Sequence, residues 1–481
     1  MGRLILLLLL FVPFCVAFFM PDNHDYYKKL ALAHMRKKLD SDFGKMMMQM
    51  EAPPKNVILF VGDGMGLTAV KGARVSINQK KKNPDVDEPL FFETFPWSSG
   101  FSVGVVSTAA VTDATPAAAY AKDVYRYMAY DNDTDIQNTK CTDIARQALM
   151  PPANKFKVLF GGGYKNFAPT SVDGGVRTDG KNLMEDFKKE GKNHFVFTNK
   201  KELDGHTVEM DQQVLGLFAS KDMTYKVEND ENKDYTAPRL IDMTKKALEI
   251  LEKQSNSPGY FLLVEGAMID KAEHKNRFAF AAEETEEFDK TIKMVSEKVG
   301  DDTLMLVTAD HSHAMAILGM WYKDHSIYDQ DMVLTNLSQI FFATGPGKYV
   351  WKKVKDGFEK DETAMRDLET FTFSSKDAND PFFVNPAAKT LSDNSHGGED
   401  VGIWAKGPYA WLFSGTIENT QISHGIKYLM CLTNDNICDL RKRSGVVNGS
   451  PSDSNSNSLA TPFTLIIMIL SLYSLSFFYS F

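Results

Sequence analysis

Leu304-Met305-Leu306-Val307-Thr308-Ala309 is an uncharged run that stops abruptly at Asp310-His311-Ser312-His313. A short, continuously apolar stretch of this kind reads as a strand buried on both faces. Such strands build parallel sheets, and open α/β sheets place their ligand sites beyond the strands' carboxyl ends. The design recurs along the chain. Val57-Ile58-Leu59-Phe60-Val61 runs into Gly62-Asp63-Gly64-Met65-Gly66, and Phe261-Leu262-Leu263-Val264 into Glu265-Gly266. Val158-Leu159-Phe160 enters a tight turn at Gly161-Gly162-Gly163, and Val103–Val106 is followed by Asp113-Ala114-Thr115-Pro116. Between these strands, Pro238 to Lys253 has helical spacing, and Asp270 to Lys298 contains a long charged helix. The alternation predicts an α/β fold, a mostly parallel central sheet with helices on both faces. Residues 354–395, charged and proline-containing, read as an irregular insertion over the sheet. Residues 18–52 read as a polar, helix-prone N-terminal arm.

A hydrophobic share of 43% against 24% charged residues is that of a globular chain with a substantial core, here one large domain over residues 53–440. The net charge of −9, with no basic stripe, argues against nucleic-acid binding. Lys80-Lys81-Lys82 reads as a solvated loop.

Both ends carry processing signals. Arg3, the apolar run Leu4–Val12 and the small residues around Ala17 predict a secretory signal peptide over residues 1–17. At the other end, small residues near Asn448 precede a polar spacer (441–462) and an uncharged tail (463–481). That pattern predicts a GPI anchor and a place on the extracellular face of the plasma membrane. A spanning helix is the rival reading, but it usually carries Lys or Arg on its cytoplasmic flank, and here there is none. Of the four cysteines, Cys15 belongs to the signal, and Cys431 and Cys438 are expected to pair in an oxidising compartment, which leaves Cys141 alone. Asn132-Asp133-Thr134 and Asn336-Leu337-Ser338 are candidate glycan acceptors.

Distant segments supply the same chemical groups. Asp63 follows one strand, Glu265 and Asp270 another, Asp310 and His311 a third, and His396 follows the insertion. Asp270 and His274, four residues apart, can share one helical face. Carboxylate oxygen beside imidazole nitrogen suits zinc, and several such groups at one sheet edge suggest a multinuclear metal site. Taken singly, each of these residues could instead be a structural ion pair or a satisfied histidine. His313 reads as structural, and His194, His206, His325 and His424, in no motif, read as surface or packing histidines.

The ordered motifs Gly62–Gly66, Asp113-Ala114-Thr115-Pro116-Ala117-Ala118, Val264-Glu265-Gly266, Ile269–His274, Thr308–His311 and His396-Gly397-Gly398-Glu399-Asp400 resemble those of alkaline phosphatases. The resemblance extends from Asn56 to Leu440 and implies hydrolysis of phosphomonoesters with two zinc ions and one magnesium. It assigns Asp270, His274 and His396 to one zinc, and Asp63, Asp310 and His311 to the other. Magnesium would take Asp63, Thr115 and Glu265, with Asp113 holding one of its waters. Arg126 matches the arginine that clamps phosphate, and Lys271 a lysine that some bacterial members place near it. Animal relatives are usually homodimers. Animal members often also bind calcium, but Ala219 and Ala237 stand at the apparent ligand positions, which puts calcium in doubt here.

One part of the pattern is absent. The resemblance implies a nucleophilic serine in an Asp-Ser motif. Phe95-Pro96-Trp97 matches the family just before that segment and Ser102–Val106 just after it, with only Ser98-Ser99-Gly100-Phe101 between. The resemblance also places the disulfide partner of Cys141 inside the lost block. The expectation is therefore a deletion or splice form of a GPI-anchored alkaline phosphatase, impaired because it lacks its nucleophile. The alternative is a catalytically inactive, zinc-binding pseudophosphatase.

Overall fold

The computed structural model describes residues 24–66, 102–121, 127–131, 142–150, 156–255, 257, 259–317, 326–328, 338–354, 357–365, 380–432 and 437–443. The expectations for the signal peptide, Lys80–Lys82, Ser98–Phe101, Arg126, Asn132, Cys141, His325, Asn336, Asn448 and the C-terminal tail lie outside these residues. Met1–Leu440 form one compact unit and Arg441–Phe481 a second. Among the described residues, no helix is long and apolar enough to cross a membrane.

The apolar runs become the strands of one sheet. β1 (Lys55–Val61), β2 (Val103–Ala110), β3 (Val158–Gly162), β4 (His194–Phe197), β5 (Gln213–Leu217), β6 (Phe261–Glu265) and β7 (Thr303–Thr308) are mutually parallel. The order across the sheet is β15-β7-β1-β6-β2-β3-β5-β4, with β15 (Trp404–Lys406) antiparallel to β7 at one edge. β1, β6 and β7 run in register, Val61 opposite both Glu265 and Thr308, so their carboxyl ends open at one level. Four segments flank them: β8 (Ser312–His313), β9 (Met315–Ile317), β10 (Ile340–Gly345) and β14 (His396–Gly397). β14 pairs with β8, setting His396 opposite His313.

Successive side chains of a strand point to opposite faces, and the core divides accordingly. On one face Ile58, Phe60, Leu262, Val264, Met305 and Val307 join a continuous core with helices Leu240–Glu252 and Phe278–Lys298. The other face carries two separate cores. One centres on β2, β3 and β5. The other joins Val57, Leu304 and Leu306 to α1 (His24–Leu39), α2 (Asp42–Met50) and the C-terminal helix Asn419–Leu429, through Met35, Leu39, Trp411 and Leu429. Between them lies an apolar slot of about 650 Å³, floored by Leu59, Val61, Val103 and Phe261 and walled by Ile422, Ile426 and Met430. Cys431 and Cys438 are disulfide-bonded at the end of this helical layer, as expected.

The long charged helix expected within Asp270–Lys298 is Phe278–Lys298, and a short helix, Met268–His274, precedes it. The break falls at Asn276, whose φ of 55° is left-handed and cannot continue a helix. The 354–395 stretch is less irregular than its charge suggested. β11 (Tyr349–Val354) and β12 (Gly357–Met365) form an antiparallel hairpin, and β13 (Ala387–Thr390) runs parallel to β10. The middle of the strand Gly357–Met365 is the charged run Glu359-Lys360-Asp361-Glu362, so it lacks the apolar alternation that announces a strand, although Asp356-Gly357 is a hairpin-turn signal.

Candidate metal centre

Four strand ends deliver the site. After β1 the chain turns at Gly62–Gly66 and presents Asp63. Gly62 donates its N–H to the Thr308 carbonyl at 2.9 Å, and Gly64 donates to Asp310 Oδ1 at 3.2 Å, tying the β1 and β7 loops together. Gly64 has φ +72°, and a Cβ there would sit 2.8 Å from the His313 ring. The motif therefore needs glycine twice over, for its backbone and for the space. After β2, Asp113 caps the short helix Ala114–Ala118, accepting from the Ala114 N–H at 2.9 Å, and Thr115 lies within that helix. After β6, Glu265 is followed by helix Met268–His274, whose pitch brings His274 Nε2 to 3.3 Å from Asp270 Oδ1. After β7 come Asp310 and His311, and β14 contributes His396.

All nine residues expected as metal ligands, Asp63, Asp113, Thr115, Glu265, Asp270, His274, Asp310, His311 and His396, line one pocket of about 80 Å³ together with Lys271. Within it, His396 Nε2 lies 3.2 Å from His274 Nε2 and 3.7 Å from Asp270 Oδ1. His311 Nε2 lies 3.5 Å from Asp63 Oδ1 and 3.3 Å from Asp310 Oδ2. Two groups bring their donor atoms within 4.8 Å of one another: Asp270, His274, His313 and His396, and Asp63, Asp270 and His311.

The electrostatics show what the cluster lacks. Burial, then the charges of Asp270, Asp310 and Glu265, push Asp63 up to about 10. Burial also raises Glu265 to about 7, partly offset by bonds from the hydroxyls of Ser107 and Thr115. Asp270 is buried too, but the His313 hydrogen bond and the neighbouring histidines and Lys271 hold it below its usual value. Lys271 is pulled down by burial yet held above its usual value by Asp113, whose carboxylate lies 2.9 Å from its Nζ. So many carboxylates in one small pocket, with imidazole nitrogens among them, fit divalent cations.

Three contributors went unread in the sequence. His313, expected to be structural, is buried in the cluster with Nε2 2.7 Å from Asp270 Oδ1. Its spacing of two from His311 was the available signal, since alternate residues of an extended segment share a side. Asn394 contacts both His274 and His313. Arg177, fully buried, holds Asp143 with two bonds of 3.0 Å and Asp179 with two of 3.1 and 2.8 Å. Asp143 caps helix Ile144–Gln147, and that helix receives Met128 through an Ile144 N–H bond of 2.9 Å. This knot therefore anchors the described strap Tyr127–Asp131 that follows Arg126. His194 stacks on Phe187, and His206 packs against Phe195 and Phe197.

Comparison with known proteins agrees with this geometry. The sequence matches the alkaline phosphatase family over residues 54–100 and 97–432. It is 30% identical over 460 residues to an alkaline phosphatase of Gadus morhua, covering 79% of this chain and 92% of that one. It is 28% identical over 459 residues to a membrane-bound alkaline phosphatase of Bombyx mori, covering 79% and 80%. With the human tissue-nonspecific isozyme it shares 29% over 507 residues, covering 88% and 90%. The fold resembles that of Thermus thermophilus alkaline phosphatase, with a TM-score of 0.55 at 18% identity over 82% of this chain and 96% of the other. Sequence and fold together place the chain in the alkaline phosphatase family, whose members hydrolyse phosphoric monoesters.

Proposed function

We propose that the chain is a zinc- and magnesium-dependent phosphomonoesterase, GPI-anchored at the outer cell surface, in a form that lacks the segment carrying its nucleophile. The convergence of nine side chains from separate segments on one pocket is the observation that supports it. Asp270, His274 and His396 would hold one zinc, and Asp63, Asp310 and His311 the other. Asp63, Thr115 and Glu265 offer the hard oxygens that suit magnesium, with Asp113 placed for one of its waters. Ions held by these residues would supply positive charge to the entering and departing oxygens of phosphoryl transfer.

The chain's own cations do the rest. Lys271 sets a positive charge at the pocket wall, and the guanidinium fork of Arg126 would grip two phosphate oxygens. Without the serine that the family pattern places in the lost segment, a covalent phosphoryl intermediate would not form, and turnover should fall by many powers of ten. One observation favours a lost segment: the family match breaks into two pieces that meet at residues 97–100. The second reading, a zinc-binding surface protein without turnover, rests on the absent serine alone. Homodimerisation, with the N-terminal helices at the contact, is part of the proposal by analogy with animal relatives.

The test pairs metal analysis with kinetics. The purified chain should bind two zinc ions and hydrolyse a chromogenic phosphomonoester barely above a metal-free control. The transcript across Trp97–Phe101 should include a longer form encoding Asp-Ser, and that form should turn over. A chain that binds no zinc would refute the assignment of the pocket. A single transcript with the junction as written would favour the pseudophosphatase.

A further inference from the structure

Asn394 is 1% exposed and bonded on every side. Its backbone N–H donates to the His274 carbonyl at 2.7 Å, and its own carbonyl lies 2.8 Å from His274 Nδ1. Its side-chain nitrogen lies 3.0 Å from His313 Nδ1, and its Oδ1 is 3.1 Å from the Thr344 hydroxyl. Across the imidazole, His313 Nε2 is 2.7 Å from Asp270 Oδ1.

With Asp270 ionised and His313 neutral, proton counting sets the directions of the bonds around His313. An ionised carboxylate only accepts, so Nε2 of His313 must carry the hydrogen that meets Asp270. A neutral imidazole has one N–H, so Nδ1 of His313 is an acceptor and faces the Asn394 amide NH₂. That leaves Asn394 Oδ1 to accept from Thr344. The flipped amide would demand a proton on Nδ1 and would set the Nε2 lone pair against a carboxylate oxygen, two acceptors at hydrogen-bond distance. In His274, Nδ1 donates to the Asn394 carbonyl, so the Nε2 lone pair points into the pocket.

We propose that Asn394 is a positioning residue that sets the tautomers of both His274 and His313 and, through His313, the aim of Asp270, before any ion arrives. The proposal rests on the reading of Asp270 and His274 as metal ligands. It also gives His313 a definite part. Its Nε2 is committed to a proton, so it orients Asp270 and does not itself ligate, although it sits among the four donors of that group. Partners of this kind behind metal ligands fix ring orientation and typically change affinity by about 10–100-fold.

Two measurements test this on the full chain. Nitrogen-resolved NMR of labelled histidines in the metal-free protein should find His313 protonated at Nε2 and His274 at Nδ1. His313 protonated at Nδ1 would overturn the proposal. Chelator competition should find Asn394→Leu weaker for zinc by about 10–100-fold. Thr344→Val, which keeps the amide but removes the hydroxyl that sets it, should be weaker by a smaller factor and guards against misfolding of the first variant. Asn394→Asp, an acceptor in place of a donor, should move a proton onto His313 Nδ1. Wild-type zinc affinity and unchanged tautomers in these variants would overturn the proposal. A native chain that binds no zinc but shows the expected tautomers would refute the metal reading while leaving the hydrogen-bond relay intact.

Discussion

The imidazoles of His311 and His396 lie face to face, with centroids 3.5 Å apart and planes inclined by 18°. One follows β7 and the other comes from β14, and the β8–β14 bridge brings them together. Two neutral rings stack comfortably at this distance, whereas two imidazolium ions would repel. Burial, then His311 and His313, hold His396 below the usual histidine value. Lowering the value of His396 favours its unprotonated ring, the state a cation needs.

Asp63 makes the metal-free protein sensitive to alkali. Its folded-state value, about 10, lies above the unfolded value of about 4, so the folded chain binds the extra proton between those limits. Stability must then fall as pH rises through that window. Thermal melts of chelated protein between pH 6 and 9, as approximate bounds inside the window, should show a falling Tm. Asp63→Asn should flatten the slope, and added zinc should remove it in the native chain. A Tm that rises across the same range would contradict the assignment.

Gly64→Ala is the sharpest local test of the first loop. The left-handed backbone at φ +72° and the His313 ring 2.8 Å from the new Cβ both oppose it. The strain is about 1–3 kcal/mol, and relieving it displaces His313 from Asp270. Denaturant unfolding should register the loss, and zinc titration should show weaker binding. Unchanged values on both would mean that the loop accommodates a side chain.

Arg177→Met should be among the most damaging single changes outside the metal pocket. It leaves Asp143 buried without its two-point partner, at a cost of about 3–5 kcal/mol. Arg177→Lys keeps the charge but loses the fork and should recover part of the loss. Urea midpoints for the two variants decide the matter. Equal midpoints for the two variants would show that a charge without the fork recovers nothing, and a lysine variant equal to the native protein would show that charge alone suffices.

The Cys431–Cys438 bridge closes a loop with a sequence separation of 7. Loop-closure entropy for so short a ring is worth about 2–3 kcal/mol. Cys438→Ser should lower the unfolding free energy by that order, and reduction of the native protein should reproduce the effect. Little change from either treatment would mean that the helical layer holds without it.

The parts of this architecture carried by local pattern were readable in the sequence. Val57–Val61, Phe261–Val264 and Leu304–Val307 are apolar because both sheet faces cover them, and the polar residues that end them had to lie at the sheet's edge. The nine pocket residues could be named in advance because each sits in or beside a motif that resembles those of alkaline phosphatases. What escaped depends on partners distant in sequence. His313 owes its place to Asp270, Asn394 to His274 and His313, and Arg177 to Asp143. Nothing near any of the three in the chain announces its partner. The break at Asn276 escaped as well, because a left-handed residue that is not glycine leaves no mark in composition.

The slot between the two cores bears on how this molecule comes apart. On one face the sheet is sealed by a single continuous core. On the other, the layer of N- and C-terminal helices and the core beside β2, β3 and β5 meet mainly through Leu59 and Phe261, which touch both. Such a seam divides cooperativity. The terminal helices can open as a unit while the strands beneath stay paired, so their amides should exchange with solvent well before those of β1 and β6. A layer that loosens first gives proteases and chaperones their earliest hold on the chain, which makes the terminal helices the ones that govern its lifetime.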